Sequence, residues 1–214
     1  MQWQRDLSVS HDRLGDVALS AGEVTGARAA YEGSLRIRER LAGTDPANAE
    51  WQRDLSISQN KLGDLARRAG DVAGARAAYE ASLQARERLV ATDPTNVEWQ
   101  RDLSISHDRL GDLARGAGDL AGALTAYEAS LRIRKRLTLM DETNTQWQRD
   151  LSFSLTSLAQ TCERQGEMSK SVEMAEESLR IDERLSALDP TNATWQKDVV
   201  VSRALVARLR SAVR

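Results

Sequence analysis

One residue recurs at a fixed spacing and restricts the folds open to this chain. Tryptophan appears five times, always 48 residues after the previous copy, at Trp3, Trp51, Trp99, Trp147 and Trp195. Self-similarity at a period of this size is the signature of a stacked repeat array. We therefore expect a single array over residues 1–214. Its expected parts are units 3–50, 51–98, 99–146 and 147–194, followed by a capping or partial-repeat helix at 195–214.

Each unit has the pattern of two helices. In the second unit, apolar or small residues from Trp51 to Ala69 follow steps of 4, 3, 4, 3 and 4, which places them on one helix face. Gly70 can close that helix in a left-handed conformation, and Asp71 can cap the next one. One hairpin cannot bury its apolar face alone, so neighbouring hairpins must cover it. The sequence predicts an all-α fold, an α-solenoid of stacked antiparallel helix pairs.

Short motifs inside the units resemble the tetratricopeptide (TPR) repeat family. Leu62-Gly63 is followed by Ala75 and Tyr79, and the first and third units carry the same residues in register. The second helices are similar to those of kinesin-light-chain-like TPRs, although this repeat has 48 residues and the usual one about 34. The resemblance implies a right-handed superhelix whose first helices line a concave groove that holds peptides.

Composition excludes several classes of function. The net charge is only −2, so neither nucleic acid nor an anionic membrane is the expected partner. No apolar run is long enough for a membrane span, and we expect no secretory signal. Cys162 is the only cysteine, which rules out an internal disulfide and favours a reducing, cytoplasmic setting.

Two tripeptides contain the residue types of a catalytic triad, Ser10-His11-Asp12 and Ser106-His107-Asp108. Adjacent residues on a helix point in different directions, so neither tripeptide can form a relay. The two histidines lie two units apart with no cysteine beside them, which disfavours a metal site. We expect neither an enzyme nor a cofactor.

Aromatic and basic residues repeat along the helices as well. The tryptophans and Tyr31, Tyr79 and Tyr127 are expected in the core, because they share the spacing of the leucines. Trp3, with no preceding repeat to cover it, is expected to be less buried than Trp51 or Trp99. Arginines recur on the second helices, at Arg36, Arg38, Arg40, Arg86, Arg88, Arg132, Arg134 and Arg136. We interpret them as a solvated, ion-paired face, with a phosphate-binding stripe as the alternative.

The groove supplies the candidate binding residues. The family's groove positions correspond to Asp12, Arg13, Asp16, Asn60, Lys61, Asp64, Asp108, Arg109 and Asp112. A ladder of carboxylates would suit a basic or amide-rich peptide. The same residues could instead pair with each other between repeats, and the sequence leaves both interpretations open.

The function predicted from these features is a protein–protein interaction scaffold. Such arrays resemble partner-recruiting parts of bacterial signalling proteins, so the chain could be one arm of a larger regulator. The alternative is a structural, self-assembling module with no separate ligand. In the last helix, Val200 and Leu205 add apolar surface where most units carry polar residues. This predicts a contact there, either self-association with a second copy or with the N-terminal face of a neighbour, or docking of a following domain.

Overall fold

The computed structural model describes residues 1–213, without the side chain of Val213, and within this range it contains nine α-helices and no strand. The helices are α1 (Gln2–Ser20), α2 (Val24–Thr44), α3 (Ala49–Arg68), α4 (Val72–Thr92), α5 (Val97–Gly116), α6 (Leu120–Met140), α7 (Thr145–Gln165), α8 (Met168–Leu188) and α9 (Ala193–Val213). The predicted all-helical class is confirmed. The helices form two compact units, one ending at Leu113 and one beginning at Ala114, so that the boundary falls inside α5.

The turn inside each hairpin follows from local chemistry. Gly70 ends α3 with φ +77°, and Gly22, Gly118 and Gly166 adopt the same left-handed conformation, which costs glycine little. The Asp71 carboxylate accepts a hydrogen bond from the Gly74 backbone N–H at 2.8 Å and so caps α4. Both predictions about this turn are confirmed.

A second glycine lets the two helices of a hairpin approach closely. A Cβ built on Gly63 would lie 2.5 Å from the Tyr79 ring, so no larger residue fits there. Tyr79 is fully buried, as the sequence predicts. In the fourth hairpin the pair becomes Ala159 and Ala175, both fully buried. In this unit a larger residue therefore replaces the glycine and a smaller residue replaces the tyrosine opposite it. The two departures from the repeat pattern compensate each other in size.

The tryptophans are less buried than we expected. Trp51 and its three later copies are half-buried, and Trp195 packs against the apolar cluster around Leu155 and Leu185. Trp3 is 65% exposed, so the core assignment does not hold for it, and it is less buried than Trp51 and Trp99, as expected. The physical reason is that each later tryptophan follows a second helix of the preceding unit, whereas no second helix precedes α1 within the described residues.

Three arginines enter the interior of the stack, contrary to the expected solvated face. Arg38, Arg86 and Arg134 are 3–4% exposed, while the other five arginines of that set are exposed. Arg38 donates to the Asp54 carbonyl at 3.0 Å and to the Ser58 hydroxyl at 2.8 Å on the next first helix. The expectation failed because long arginine side chains can leave the surface where carbonyls and hydroxyls satisfy them. We call these three residues and their serine and carbonyl partners the arginine–serine ladder.

The counter-charge in the ladder differs from unit to unit. Asp12 forms an ion pair with Arg38 at 2.9 Å, with both side chains at most 10% exposed. Asn60 replaces the aspartate in the second unit, and its amide oxygen accepts a hydrogen bond from Arg86 at 2.9 Å. Burial lowers the pKa of Arg86 to about 10, which still leaves it charged at neutral pH. In the fourth unit Asp182 takes the place of the arginine, and burial raises the pKa of its carboxyl.

Candidate partner-binding surface

The nine residues predicted to line a groove do not all reach the surface. Asp12, Asn60 and Asp108 are 5–8% exposed and lie inside their hairpins. The first two bind arginines of the ladder. These three side chains are buried in the interior and are not positioned to contact a partner.

The next pair of predicted residues links neighbouring first helices. The Lys61 ammonium on α3 binds both carboxylate oxygens of Asp16 on α1, at 2.6 and 2.8 Å. The Tyr31 hydroxyl donates to the same carboxylate at 2.7 Å. Lys61 also lies 5.1 Å from the centre of the Tyr31 ring. Asp16 is thus an exposed carboxylate that already has a cation and a hydroxyl as partners.

The same arrangement recurs one repeat later. Arg109 on α5 binds Asp64 on α3 at 3.1 Å, and the Tyr79 hydroxyl donates to Asp64 at 2.7 Å. At these positions the charged side chains therefore pair between repeats. This pairing is one of the two interpretations that the sequence leaves open. Asp112 is half-buried, and Arg13 is exposed.

An apolar residue that the sequence reasoning missed lies on the same face of every first helix. Within the first compact unit, Val9, Ile57 and Ile105 are half-exposed, four residues before Arg13, Lys61 and Arg109 in turn. Their counterparts in the second compact unit are Phe153 and Val201, each 51% exposed. A signal was available, because each of these residues immediately precedes a serine and lies out of phase with the main apolar stripe.

The surroundings of Phe153 combine an exposed ring with paired charges. Arg149, one turn before it on α7, binds Asp198 on α9 at 2.6 Å. The Arg134 guanidinium lies 5.8 Å from the centre of the Phe153 ring. Aromatic side chains are enriched in the central part of protein–protein interfaces, which makes the exposed Phe153 ring a candidate contact. We call Phe153 and Val201 the α7–α9 apolar pair.

The two residues predicted to mediate self-association in α9 have different environments. Val200 is 66% exposed, as that prediction requires. Leu205 is only 6% exposed and packs with Leu209 and Ala175, so it adds no surface. The correction has a simple cause: at this position α9 turns toward α8, whose apolar residues cover Leu205. The self-association hypothesis then depends on Val200.

Within residues 1–213, no cluster of three or more histidine, cysteine, aspartate or glutamate side chains is arranged to hold a metal ion. In the same range no helix combines the length and the apolarity that a membrane span needs. Cys162 is fully buried, and burial raises the pKa of its thiol.

Comparison with known proteins agrees with the repeat type. Residues 12–48 and 57–95 match the tetratricopeptide repeat family model. The crystal structure of BtubC (BKLC) from P. vanneervenii is 15% identical, with a TM-score of 0.64 over 98% of this chain and 82% of that one. A Podosopora anserina protein, described as a kinesin light chain with nearly identical TPR-like repeats, is 15% identical, with a TM-score of 0.59 over 97% and 98%.

These matches fix the fold. The resemblance to TPR repeats is confirmed, and the chain has the α-solenoid fold of TPR-type proteins. Comparison with curated protein sequences gives no match.

Proposed function

We propose that this chain is a protein-interaction scaffold in which the first-helix face of a compact unit binds a partner peptide or protein segment. One observation carries the proposal: a half-exposed apolar residue recurs on that face of every first helix and reaches its greatest exposure at Phe153 and Val201. Solenoids of this kind present extended surfaces on which partner segments lie. TPR repeats are in general an interaction fold without catalytic activity, in keeping with a scaffold.

The chemistry of the face favours a partner with an apolar anchor. The carboxylates at the predicted groove positions suggest a basic partner. Such a partner would have to share Asp16 or Asp64 with the cations already bound there. At an exposed site, exchanging an existing ion pair for one with the partner contributes little to the free energy of binding. We therefore expect the apolar side chain of the partner to supply most of the affinity, while charge tunes orientation and association rate.

A selection experiment tests the proposal. The wild-type chain and a Phe153→Glu, Val201→Glu variant are each used to enrich a random peptide library. We expect the wild type to enrich peptides that share an aromatic or aliphatic residue, and the variant to lose them. The matched control is Leu139→Glu, Leu188→Glu, because these leucines are 76% and 66% exposed at the ends of second helices. Loss of enrichment in the control, or its persistence in the variant, would contradict the proposal.

A self-assembling module is the second candidate function, and one observation favours it. Val200 is 66% exposed on α9, at the position where the buried serines Ser56 and Ser152 face the second helix of their own hairpin. Light scattering on the wild type and on Val200→Glu separates the candidates. Wild-type oligomers that the substitution dissociates would support the self-assembling module. A monomer in both samples would favour the partner-binding scaffold.

The cellular setting is part of the same proposal. A single, buried cysteine suits a reducing compartment such as the cytoplasm. A role as one arm of a larger signalling regulator would place the partner-binding face beside a second functional domain. Sequencing of the full gene and its neighbours tests that part directly.

A further inference from the structure

The second helices expose the same positions in every unit, and α6 differs from the others in charge. In its C-terminal half the exposed positions carry Arg132, Lys135 and Arg136. The other second helices have a glutamate in place of Lys135, at Glu39, Glu87 and Glu183. Of the four second helices, α6 therefore has the row of cations that no carboxylate interrupts.

The exposure of these positions does not depend on where the sequence begins or ends. Both α4 and α6 have a complete hairpin before and after their own in the chain. Arg88 on α4 is exposed, and so is Arg136, its copy on α6. A preceding or a following repeat thus leaves this side of a second helix uncovered.

The carboxylates nearest to the cations on α6 and α8 already have partners. Glu128, one turn before Arg132, lies 3.4 Å from the Lys170 ammonium of α8. Glu177 of α8 lies 3.5 Å from the Lys135 ammonium. Within residues 1–213, neither of the two arginines in the row has an ion-pair partner. They are therefore available to an anionic group from outside the chain.

Exposed apolar side chains continue the row of cations. Leu139 and Met140, at the end of α6, are 76% and 60% exposed. In the first compact unit the same positions carry small or polar residues, at Gly43, Thr44, Ala91 and Thr92. Arg132, Arg136 and Met140 follow each other at steps of four residues, which places them in one line on the helix. We call these five residues, Lys135 and Leu139 included, the α6 patch.

The line of side chains sets the spacing of a matching ligand. Residues one turn apart on a helix are separated by about 6 Å. Residues two apart on an extended chain are separated by about 6–7 Å. An extended segment with two carboxylates and an apolar side chain at alternate positions therefore places them opposite Arg132, Arg136 and Met140 in turn.

We propose that the α6 patch binds an extended acidic segment of another protein, in which two carboxylates and one large apolar side chain occupy alternate positions. Arginine forms paired hydrogen bonds with a carboxylate, which gives such a contact its geometry. The patch lies on a second helix, so this site is additional to the first-helix face and does not depend on it.

An anionic membrane fits the same side of the chain less well. A flat bilayer surface laid on α6 would also meet α8, which lies beside it. There Glu173 and Glu183 are exposed and carry charge of the same sign as the lipids. A narrow peptide segment contacts α6 without meeting these carboxylates.

A peptide titration tests this proposal with the full chain. The probe is a fluorescently labelled peptide with the core Glu-Ser-Glu-Ser-Leu, followed by fluorescence anisotropy. We expect saturable binding that weakens as salt is added, because the charges are exposed. A peptide with glutamine in place of both glutamates should bind at least about tenfold more weakly, because its hydrogen bonds to arginine lose their charge.

Variants of the chain locate the site. Arg132→Gln with Arg136→Gln should weaken binding of the acidic peptide at least about tenfold. The matched control is Arg36→Gln with Arg40→Gln, at the same positions of α2, and it should bind as the wild type does. Lys135→Glu restores the residue of the other units and should weaken binding. All five residues are exposed, so folding is retained, which circular dichroism checks.

Two further variants separate the α6 patch from the α7–α9 apolar pair. Phe153→Glu should bind the acidic peptide normally. Leu139→Glu adds a carboxylate to the patch and should weaken binding of the acidic peptide, whereas peptides selected through Phe153 should keep their affinity. Failure of one surface is thus distinguishable from failure of the other.

Four results would overturn the proposal. The first is no saturable binding of the acidic peptide, and the second is equal binding of the glutamine peptide. The third is an equal loss of affinity in the α2 control variant. The fourth is sedimentation of the chain with vesicles containing about a third phosphatidylserine, if Arg132→Gln with Arg136→Gln abolishes it, because an anionic membrane would then be the occupant.

Discussion

Removal of the Asp12 carboxylate is the perturbation for which the structure predicts the clearest energetic effect. The Arg38 side chain is 4% exposed and Asp12 is 10% exposed, with 2.9 Å between their charged atoms. Asp12→Ala leaves a buried guanidinium without its counter-charge. Breaking a buried pair in this way costs about 3–5 kcal/mol.

The neutral hydrogen-bond partners of Arg38 determine where in this range the cost of Asp12→Ala falls. The guanidinium keeps its hydrogen bonds to the Ser8 and Ser58 hydroxyls and to the Asp54 carbonyl, all between 2.8 and 3.1 Å. Since these acceptors survive the substitution, we expect the lower end, about 3 kcal/mol.

The second unit supplies a matched control. Asn60 holds the same position beside Arg86 but carries no charge, so Asn60→Ala removes hydrogen bonds to the guanidinium without removing a counter-charge and should cost about 1.5–2 kcal/mol, less than Asp12→Ala. Both variants are measured by urea unfolding with circular dichroism, with attention to an unchanged slope against denaturant. The difference should persist at high salt, because a buried pair is poorly screened. Equal costs for the two variants would refute the assignment of Asp12 as the counter-charge of a buried arginine.

Three further predictions use the same unfolding assay. Gly63→Ala should destabilise by about 1–3 kcal/mol because its Cβ meets a buried ring, whereas Gly43→Ala, with open space around it, should gain about 0.5 kcal/mol; the reverse order would contradict the close approach. Burial raises the pKa of Asp182, so its protonated form stabilises the fold below the ordinary pKa of the carboxyl, and that stability is lost as pH rises through the raised value. Asp182→Asn should therefore be more stable than wild type at pH 7, with the gain shrinking toward pH 4, and a pH-independent gain would exclude this cause. Trp51→Ala should cost about 2 kcal/mol and Trp3→Ala under about 0.5, since the first ring is half-buried and the second 65% exposed; equal costs would contradict these exposures.

Features set by neighbours in the chain could be predicted from the sequence. Gly70 and Asp71 determine a turn through their own backbone and side-chain chemistry, and the structure has that turn where it was expected. Tyr79 was assigned to the core from helical spacing and is fully buried. The repeat period gave the class of fold, because only stacking can cover the apolar face of each hairpin.

Features set by contacts between repeats could not be predicted in the same way. Hydropathy places an arginine at the surface, so Arg38 was assigned to a solvated face, although Ser58 and the Asp54 carbonyl satisfy it inside. One clue was present in the sequence. Where the arginine becomes Asp182, the position of Asp12 becomes Thr156, as expected if the two positions face each other.

The candidate site shows the same limit. Groove positions transferred from the family included Asp12 and Asn60, which this chain uses inside its hairpins. Phe153 was overlooked because one exposed apolar residue per helix does not stand out against the main stripe. Its significance depends on exposure, which only the packed structure supplies.

The most direct test of the scaffold function is the affinity of a selected peptide for two forms of the chain. A peptide enriched on the wild type is titrated by calorimetry into the wild type and into Phe153→Ala, whose ring is 51% exposed, so that folding is little affected. If the α7–α9 apolar pair is the centre of the binding surface, loss of the ring should weaken binding at least tenfold, as at an interface hot spot costing about 1.4 kcal/mol or more. An affinity unchanged within about twofold would contradict the account.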